Sequence, residues 1–336
     1  MFKFLDQNRV HRDISLKSFN SYKVGGNAKY LLYLHNDEVA RVIEAISGIM
    51  PYVVLGMGCN VLVSDAGFDG VVIKLIDDNV RVDDDVVLND DVLSTQLVGG
   101  CNASKSATCV IHADAGASLS KVAQVALKHG LSGLEWSCGL PSSVGGAVYG
   151  NAGARGFCVG DILKGCQVLY KNDIIYLNNT QCDFKYRHSV FMDCDKHSLF
   201  TNNGGLSINN DECSLFKNND YTILSADFLL QRSSVAEVQS KMQAIQKLRN
   251  NPKGLSAGSV FKNGTDFVAG KLIDSCGLKG SRIGGASIST LHANFILNDG
   301  TATSKDIYEL IKLVKQKVYE IHGVNFELEV RLIGEF

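Results

Sequence analysis

The pattern of apolar and polar residues predicts a chain in which helices alternate with short, mostly buried strands. Residues 234–249 show it clearly, because Val235, Val238, Met242 and Ile245 recur at the spacing of one helix face. Helices are predicted on the same grounds at 36–47, 116–129, 234–249, 268–276 and 303–322, the last one capped by Ser304. Strands are predicted at 28–34, 52–55, 61–63, 71–75, 110–113, 159–168, 173–177, 221–231, 294–298 and 326–333.

One stretch, residues 133–156, fits neither period. It holds seven glycines and small residues between them, together with Pro141 and the only tryptophan, Trp136. Small side chains let backbone N–H groups approach an outside group closely, and phosphate is a frequent guest of such a surface. A glycine-rich turn between two strands explains the composition equally well. Both interpretations stay open at this point.

A second glycine loop, Gly56-x-Gly58-Cys59-Asn60, follows the strand predicted at 52–55. A dinucleotide-binding Rossmann unit would place a third glycine at position 61 and a helix after it. Position 61 is valine and β-branched residues follow, which excludes a Rossmann unit. A loop that binds phosphate by its backbone remains an alternative.

The composition is that of a globular, enzyme-sized protein, and the length predicts two or three domains or one large domain with an appended lobe. The chain has 336 residues, of which 45% are hydrophobic and 20% charged. A net charge of −2 gives no bulk attraction to nucleic acid or to anionic lipid. No apolar run approaches the ~18 residues of a membrane span, and the N-terminus lacks the apolar run of a signal peptide. These features predict a cytoplasmic protein with no membrane or nucleic-acid partner and no obligate protein partner.

The ten cysteines form no CxxC pair and no Cys/His cluster with zinc spacing, so free thiols and no metal are expected. An acidic run between Asp77 and Asp91 could suggest a metal, but a solvated hairpin or a mobile loop explains it better. We interpret this region, near 76–109, and an asparagine-rich region near 192–220 as loop insertions.

Taken together, the motifs resemble those of the UDP-N-acetylenolpyruvoylglucosamine reductase family. The resemblance includes Leu55-Gly-x-Gly-x-Asn60, Pro141-x-x-Val-Gly-Gly-Ala147, Ser256-Ala-Gly-Ser-Val-Phe-Lys-Asn263 and Glu329-Val-Arg331, in that order. Shorter matches fall at 24–28, 130–135, 151–154, 186–189, 269–273, 277–280, 283–286 and 292–295. It covers nearly the whole chain except the two insertions. The predicted strand at 221–231 leads directly into a helix, which resembles the shorter-loop (type II) class of the family.

The resemblance implies an α+β protein with a vanillyl-alcohol-oxidase-type FAD-binding fold and a C-terminal α+β substrate-binding lobe. The expected divisions are residues 1–76 and 77–232 for two FAD-binding subdomains of mixed α/β type, and 233–336 for the lobe. The implied activity is the second committed step of peptidoglycan precursor synthesis. NADPH reduces a non-covalently bound FAD, and UDP-N-acetylglucosamine enolpyruvate then takes a hydride from flavin N5.

Adding hydride to an enolpyruvyl ether calls for a cationic clamp, a proton donor and a polarising group. By resemblance, Arg187, Ser259 and Glu329 are the catalytic residues, with Ser259 as the proton donor. Lys262 and Asn263 are the candidates for the substrate diphosphate. His188 and His292 are interpreted as structural. The expected FAD contacts come from both glycine-rich loops: Gly56, Gly58, Cys59, Asn60, Ser142, Ser143, Gly145, Gly146, Asn151, Ala152 and Gly153.

Three positions depart from the family pattern. Cys59 stands where serine is common, Ser142-Ser143 replaces Gly-Thr, and Gly264 stands where proline is usual. Two other functions are considered: a flavin-binding protein that has lost reduction, and an oxidase with covalently attached FAD. The intact set of Arg187, Ser259 and Glu329 argues against the first, whereas Cys59 keeps the second open.

Overall fold

The structure is a computed structural model that describes residues 2–83, 108–193 and 221–336. Most of the predicted acidic insertion and of the asparagine-rich insertion lies outside the described residues. Residues 80–83 of the former are described, and they form a strand that pairs in antiparallel with residues 110–113, in agreement with the hairpin alternative.

Six α-helices form within the described residues. They are α1 (Val39–Ile46), α2 (Leu119–Lys128), α3 (Val144–Tyr149), α4 (Val235–Lys247), α5 (Ala269–Ser275) and α6 (Ser304–His322). Five correspond to predicted helices, and α3 lies inside the glycine-rich stretch, where no helix was expected. In the part of the chain that the structure describes, none of the helices has the length and apolar composition needed to cross a bilayer.

The strands in the first part of the chain are β1 (Val10–Ser15), β2 (Asn27–Leu34), β3 (Tyr52–Val54), β4 (Val61–Val63), β5 (Phe68–Leu75), β6 (Val80–Asp83), β7 (Thr108–Asp114) and β8 (Leu131–Ser132). Those in the remainder are β9 (Gly153–Ala154), β10 (Phe157–Cys158), β11 (Leu163–Tyr170), β12 (Asp173–Asn178), β13 (Tyr221–Arg232), β14 (Arg282–Ile283), β15 (Ala286–Ile288), β16 (Ile296–Asn298) and β17 (Arg331–Ile333).

The described residues fall into two compact units, and the first combines residues 2–75 with residues 250–336. Its main sheet has the order β1-β2-β5-β3, in which β5 pairs in parallel with both β2 and β3. Strand β17 pairs in parallel with β4, so the end of the chain joins its beginning. The apolar face of α6, with Ile307, Leu310 and Val314, packs in one core with Tyr22 and Leu62.

The second unit contains residues 76–83, 108–192 and 221–249. Its antiparallel sheet has the order β12-β11-β13-β7-β6, and β8 extends β13 at one end. Helix α3 packs against β13, and α2 packs against α4. Helix α4 therefore belongs to this unit, whereas the predicted division assigned 233–249 to the C-terminal lobe. The three-part division of the chain stays a prediction.

Two local predictions need correction. Helix α6 is capped by Thr303, whose hydroxyl accepts from Asp306 N at 3.1 Å, and not by Ser304, whose N–H donates to Asp65 Oδ1 at 3.0 Å. The extended segment predicted at 326–333 forms a regular strand only at Arg331–Ile333, because that is where β4 offers a partner.

Candidate active site

The first glycine loop connects β3 to β4 in the first unit and is fixed by close backbone packing. Gly58 has a φ of +67°, and a Cβ there would lie 2.0 Å from the carbonyl oxygen of Phe19. The Gly58 carbonyl accepts a hydrogen bond from Ser21 N at 3.0 Å. Only glycine combines this backbone conformation with so close an approach. The sequence motif is therefore a steric requirement of the loop itself.

Three consecutive amides of this loop are available for a ligand. The N–H groups of Gly56, Met57 and Gly58 have no hydrogen-bond acceptor among the described residues. Successive N–H groups next to a left-handed residue form a concave surface that binds anions. The loop therefore fits a phosphate or diphosphate group, as its glycine spacing suggested.

The same loop is bonded to the segment that carries Glu329. Asn60 Nδ2 donates to the Glu329 carbonyl at 2.9 Å, and Arg331 N donates to the Asn60 carbonyl at 3.0 Å. Glu329 N in turn donates to the Val260 carbonyl at 2.8 Å. The backbones of the glycine loop, Glu329 and the residue after Ser259 are thus connected in series within one unit.

Ser259 lies on a short segment whose backbone is fixed by hydrogen bonds with the Asn294 side chain. The Ser259 hydroxyl itself makes no hydrogen bond among the described residues. Gly258 before it has a φ of +83°, a conformation that favours glycine. Buried Asn294 clamps the segment, since its side chain accepts from Phe261 N at 2.9 Å and donates to Phe261 O at 2.8 Å. The arrangement presents a half-buried hydroxyl on a fixed backbone. Sequence reasoning gave Asn294 no role, although the residue stood in one of the motifs.

Lys262 and Asn263 follow on the same segment and are partly engaged with protein groups. Lys262 Nζ lies 3.3 Å from Glu327 Oε2 in an ion pair in which the glutamate is mostly exposed. Asn263 Oδ1 accepts from Ala269 N at 2.9 Å and so caps the start of α5. Glu327, the neighbour that could have competed with Glu329 for a catalytic role, is therefore paired with Lys262.

In the second unit, the glycine-rich stretch begins helix α3. Ser143 is its N-cap, and its hydroxyl accepts from Gly146 N at 3.2 Å. Val144 N and Gly145 N donate to the carbonyls of Ala117 and Ala115, and Ser142 N donates to that of Leu140. The amides of residues 142, 144, 145 and 146 therefore already donate to protein groups, and the FAD contacts expected from Ser142, Ser143, Gly145 and Gly146 stay a prediction. Glycine is needed at 145 for packing, since a Cβ there would lie 3.0 Å from Ala115 Cβ.

Arg187 lies in a tight turn of the second unit that is anchored by Asn151. Lys185 and His188 exchange backbone hydrogen bonds of 3.0 and 3.1 Å across the turn, and Arg187 has a φ of +53°. Buried Asn151, with a φ of +42°, donates from Nδ2 to Lys185 O at 2.8 Å and accepts from Gly160 N at 2.9 Å. Left-handed non-glycine residues are strained and gather at functional sites. The Asn151 side chain, predicted to contact FAD, is thus bonded to the Arg187 turn.

The remaining residues that were predicted to contact FAD, or that depart from the family pattern, are held by their surroundings as follows. Ala152 N donates to the Ala147 carbonyl at 2.8 Å, and a Cβ at Gly153 would lie 2.4 Å from the Phe157 carbonyl oxygen. Cys59 is half-buried, and at Gly264 the amide that a proline would lack donates to Phe267 O at 3.1 Å. Among the described residues, no group of three or more His, Cys, Asp or Glu side chains could hold a metal.

The structure thus places the predicted residues in two sets. The first unit brings together the loop at 56–60, Ser259, Glu329, Lys262 and Asn263, and the second brings together 142–146, 151–153 and Arg187. Sequence reasoning missed Lys74, which donates hydrogen bonds to the loop of the first unit. The only sequence signal for this role is a lysine near the end of the predicted strand 71–75, whose other residues are apolar.

Comparison with known proteins gives a consistent result along the whole chain. Residues 246–333 match the family model for the C-terminal domain of UDP-N-acetylenolpyruvoylglucosamine reductase, and residues 30–175 match that for an FAD binding domain. The UDP-N-acetylenolpyruvoylglucosamine reductases of Streptococcus pneumoniae strains 70585 and Hungary19A-6 are 35% and 36% identical to this chain. These alignments cover 100% of this chain and 97% of each relative.

A solved structure is also similar, the crystal structure of UDP-N-acetylenolpyruvylglucosamine reductase from Thermus caldophilus. It is 30% identical with a TM-score of 0.70, and the match covers 97% of this chain and 99% of that one. These findings confirm the predicted α+β fold with an FAD-binding domain.

Proposed function

This chain belongs to the UDP-N-acetylenolpyruvoylglucosamine reductase family and is an FAD oxidoreductase of peptidoglycan precursor synthesis, and from that premise we propose its substrate, its electron donor and the roles of its residues. The proposed reaction is the NADPH-dependent reduction of UDP-N-acetylglucosamine enolpyruvate to UDP-N-acetylmuramate. We also propose that FAD is bound non-covalently and that the reaction takes place in the cytoplasm.

One observation in the described residues carries this proposal. The loop with three available amides, the Glu329 segment and the Ser259 segment are joined by backbone hydrogen bonds of 2.8–3.0 Å. A loop suited to phosphate, the Glu329 segment, and the Ser259 hydroxyl, which makes no hydrogen bond within the described part of the chain, are therefore held together by one backbone network. This is the set that cofactor binding, polarisation and proton delivery require.

The proposed roles in the first unit follow from these positions. When bound and reduced by NADPH, FAD would supply the hydride for the enolpyruvyl double bond. Ser259 donates its Oγ proton to the carbon next to the one that receives the hydride, and Asn294 holds the serine backbone in place. Glu329 is a second catalytic group beside that segment. Gly56, Gly58, Cys59 and Asn60 bind the cofactor diphosphate, and Lys262 and Asn263 bind that of the substrate.

The proposed roles in the second unit concern charge and cofactor contact. Arg187 binds the substrate carboxylate, because a planar guanidinium pairs with a carboxylate by two parallel hydrogen bonds. Ser142, Ser143, Gly145, Gly146, Asn151, Ala152 and Gly153 are proposed as further FAD contacts. Among the first four of these residues, the amides of Ser142, Gly145 and Gly146 and the hydroxyl of Ser142 donate to protein groups. The Ser143 amide has no acceptor among the described residues and is therefore the more suitable donor.

An anaerobic stopped-flow experiment tests the reaction directly. The protein is loaded with FAD and mixed with NADPH, and loss of the flavin absorbance near 450 nm reports reduction. A second mixing with UDP-N-acetylglucosamine enolpyruvate should restore the absorbance and yield UDP-N-acetylmuramate. A flavin that NADPH reduces but that this substrate never reoxidises would instead indicate a flavin-binding protein without the activity.

Two further measurements address the cofactor and Arg187. Acid precipitation should leave the yellow colour in the supernatant, whereas colour in the pellet would indicate covalent FAD and contradict the proposal. Arg187→Ala should retain bound FAD and fast reduction by NADPH while reoxidation slows. Isolation of that variant as an apoprotein would assign Arg187 a structural role.

A further inference from the structure

Lys74 lies at the end of β5, and its ammonium group contacts the first glycine loop. Its Nζ donates to the Gly56 carbonyl at 2.6 Å and, more weakly, to the Leu55 carbonyl at 3.4 Å. The side chain is half-buried and passes near the ring of Phe19, whose centroid is 5.9 Å from Nζ. A lysine in this position fixes two successive peptide groups of the loop.

The charge of Lys74 has no protein counter-ion among the described residues. Lys29, on the neighbouring strand β2, pairs with Asp69 at 2.8 Å, whereas no carboxylate pairs with Lys74 Nζ. Burial lowers the pKa of the Lys74 ammonium, as expected for a cation withdrawn from water without an acidic partner. A buried cation without a partner is unfavourable unless another group compensates it. An anionic ligand would supply that compensation.

The geometry of the peptide bond shows where this anion would bind. In a trans peptide the C=O and N–H groups point in opposite directions. Because the carbonyls of Leu55 and Gly56 point toward Nζ, the N–H groups of Gly56 and Met57 point away from it. These are two of the three amides that lack an acceptor among the described residues. The positive charge and the amide dipoles are therefore directed to the same side of the loop.

We propose that Lys74 is a positioning residue for the diphosphate of FAD. It orients the amides of Gly56 and Met57 toward the diphosphate and adds a positive charge behind them. The inference rests on the proposed function, because it takes FAD to be the anion that the loop binds. It assigns to β5 a contribution to cofactor affinity that the glycine motif does not contain.

Equilibrium binding of FAD to the apoprotein, followed by flavin fluorescence, tests this role. Lys74→Met keeps much of the stem and removes the charge, Lys74→Gln keeps a donor without the charge, and Lys74→Arg keeps both. Loss of the charge should weaken FAD binding by about tenfold or more, which corresponds to ~1.4 kcal/mol. Lys74→Arg should remain within about threefold of the wild type, since a guanidinium retains charge and donors. Lys29→Met removes an exposed lysine of the same unit and should not change the affinity.

The thermal midpoint of each apoprotein separates binding from folding. Weaker binding of FAD by a Lys74→Met or Lys74→Gln apoprotein with a wild-type midpoint supports the inference. Wild-type affinity in either folded variant overturns it. If Lys74→Met does not fold, the comparison of Lys74→Gln with Lys74→Arg decides. The wild-type stopped-flow experiment tests the proposed function separately, because it involves no change at Lys74.

Discussion

At the scale of single residues, the site depends on backbone conformations that few residues adopt. Gly58 and Gly258 have positive φ values of +67° and +83°, and the non-glycine residues Asn151 and Arg187 have values of +42° and +53°. The sequence could point to the glycines, because their spacing is visible, and to Arg187 through its motif. It could not show that Asn151 anchors the Arg187 turn, because that contact joins residues 34 positions apart.

Replacing Ser259 with alanine should separate the two halves of the catalytic cycle. General acid catalysis contributes roughly 10²–10⁴-fold, so reoxidation of the reduced flavin by the enolpyruvyl substrate should slow by about that factor. Reduction by NADPH should be unchanged, because it needs no proton from Ser259. Stopped-flow traces of both half-reactions provide the measurement. Ser256→Ala, three residues earlier in the same motif, is the matched control. Equal slowing of both half-reactions would exclude Ser259 as the proton donor.

Replacing Asn151 with alanine should lower both the stability of the protein and its activity. The change leaves Lys185 O and Gly160 N without their side-chain partner, and an unsatisfied buried group costs about 1–3 kcal/mol. The free energy of unfolding in urea should fall by that amount, and reoxidation by substrate should slow because the Arg187 turn loosens. If stability stays at the wild-type value while FAD binding is lost, Asn151 acts through the cofactor alone.

At the scale of elements, local patterns predicted most helices and strands, but they did not predict helix α3 or the pairing between distant strands. The apolar spacing of α6 and the β-branched runs of β4 and β5 were sufficient to locate these elements. Helix α3 was missed because Gly145 and Gly146 disfavour a helix, which here is stabilised by the Ser143 cap and by packing against β13. The pairing of β17 with β4 could not be predicted, because register between distant segments has no local signal.

The sheet of the second unit carries a polar cluster with side chains from β12, β13 and β7, which spans four strands because β11 lies between β12 and β13. Asp227 on β13 accepts from Tyr176 OH at 3.0 Å and lies 2.8 Å from His112 Nδ1 on β7. Gly165 lets Tyr176 cross the intervening strand, since a Cβ there would lie 2.5 Å from the tyrosine oxygen. Burial alone would raise the pKa of Asp227, but the hydrogen bonds from His112 and Tyr176 outweigh it and lower that pKa.

This cluster should make stability depend on pH in the acid range. Since the pKa of Asp227 is lower in the folded state, its carboxylate stabilises the fold above the unfolded pKa of about 4. That contribution is lost as the pH falls through the folded pKa. The difference in unfolding free energy between wild type and Asp227→Asn should therefore become smaller as the pH is lowered from about 6 to below about 3. Urea titrations measure it, with Asp173→Asn in exposed β12 as control. A difference that is constant with pH would contradict this assignment.

At the scale of the whole molecule, the arrangement of the chain differs from a simple succession of domains. The first unit is built from residues 2–75 and 250–336, and its glycine loop is bonded to Glu329 and Arg331. The motifs indicated the fold family and most site residues, because they are local. They did not reveal that Leu62, close to the first glycine loop, shares one core with the C-terminal segment, because that core is assembled from residues far apart in the chain.

A fragment of residues 1–232, the predicted pair of FAD-binding subdomains, should therefore fail to bind FAD. It lacks β17, the strand partner of β4, and α6, whose apolar face packs in a core with Leu62. Fluorescence titration with FAD and circular dichroism of the fragment provide the measurement. Adding residues 233–336 as a second chain should restore binding. A fragment that binds FAD as tightly as the full chain would show that the C-terminal segment is dispensable.

The hydrogen bond from Asn60 to Glu329 also determines when this part of the structure can form during protein synthesis. The two residues are 269 positions apart, and ribosomes add about 5–20 residues per second. Asn60 is therefore synthesised on the order of 10–50 s before its partner exists. During that interval the nascent chain carries β4 and the glycine loop without the strand that completes them. The hydrogen bonds that join the glycine loop to the Glu329 segment can therefore form only late in synthesis, long after β4 and the loop have been made.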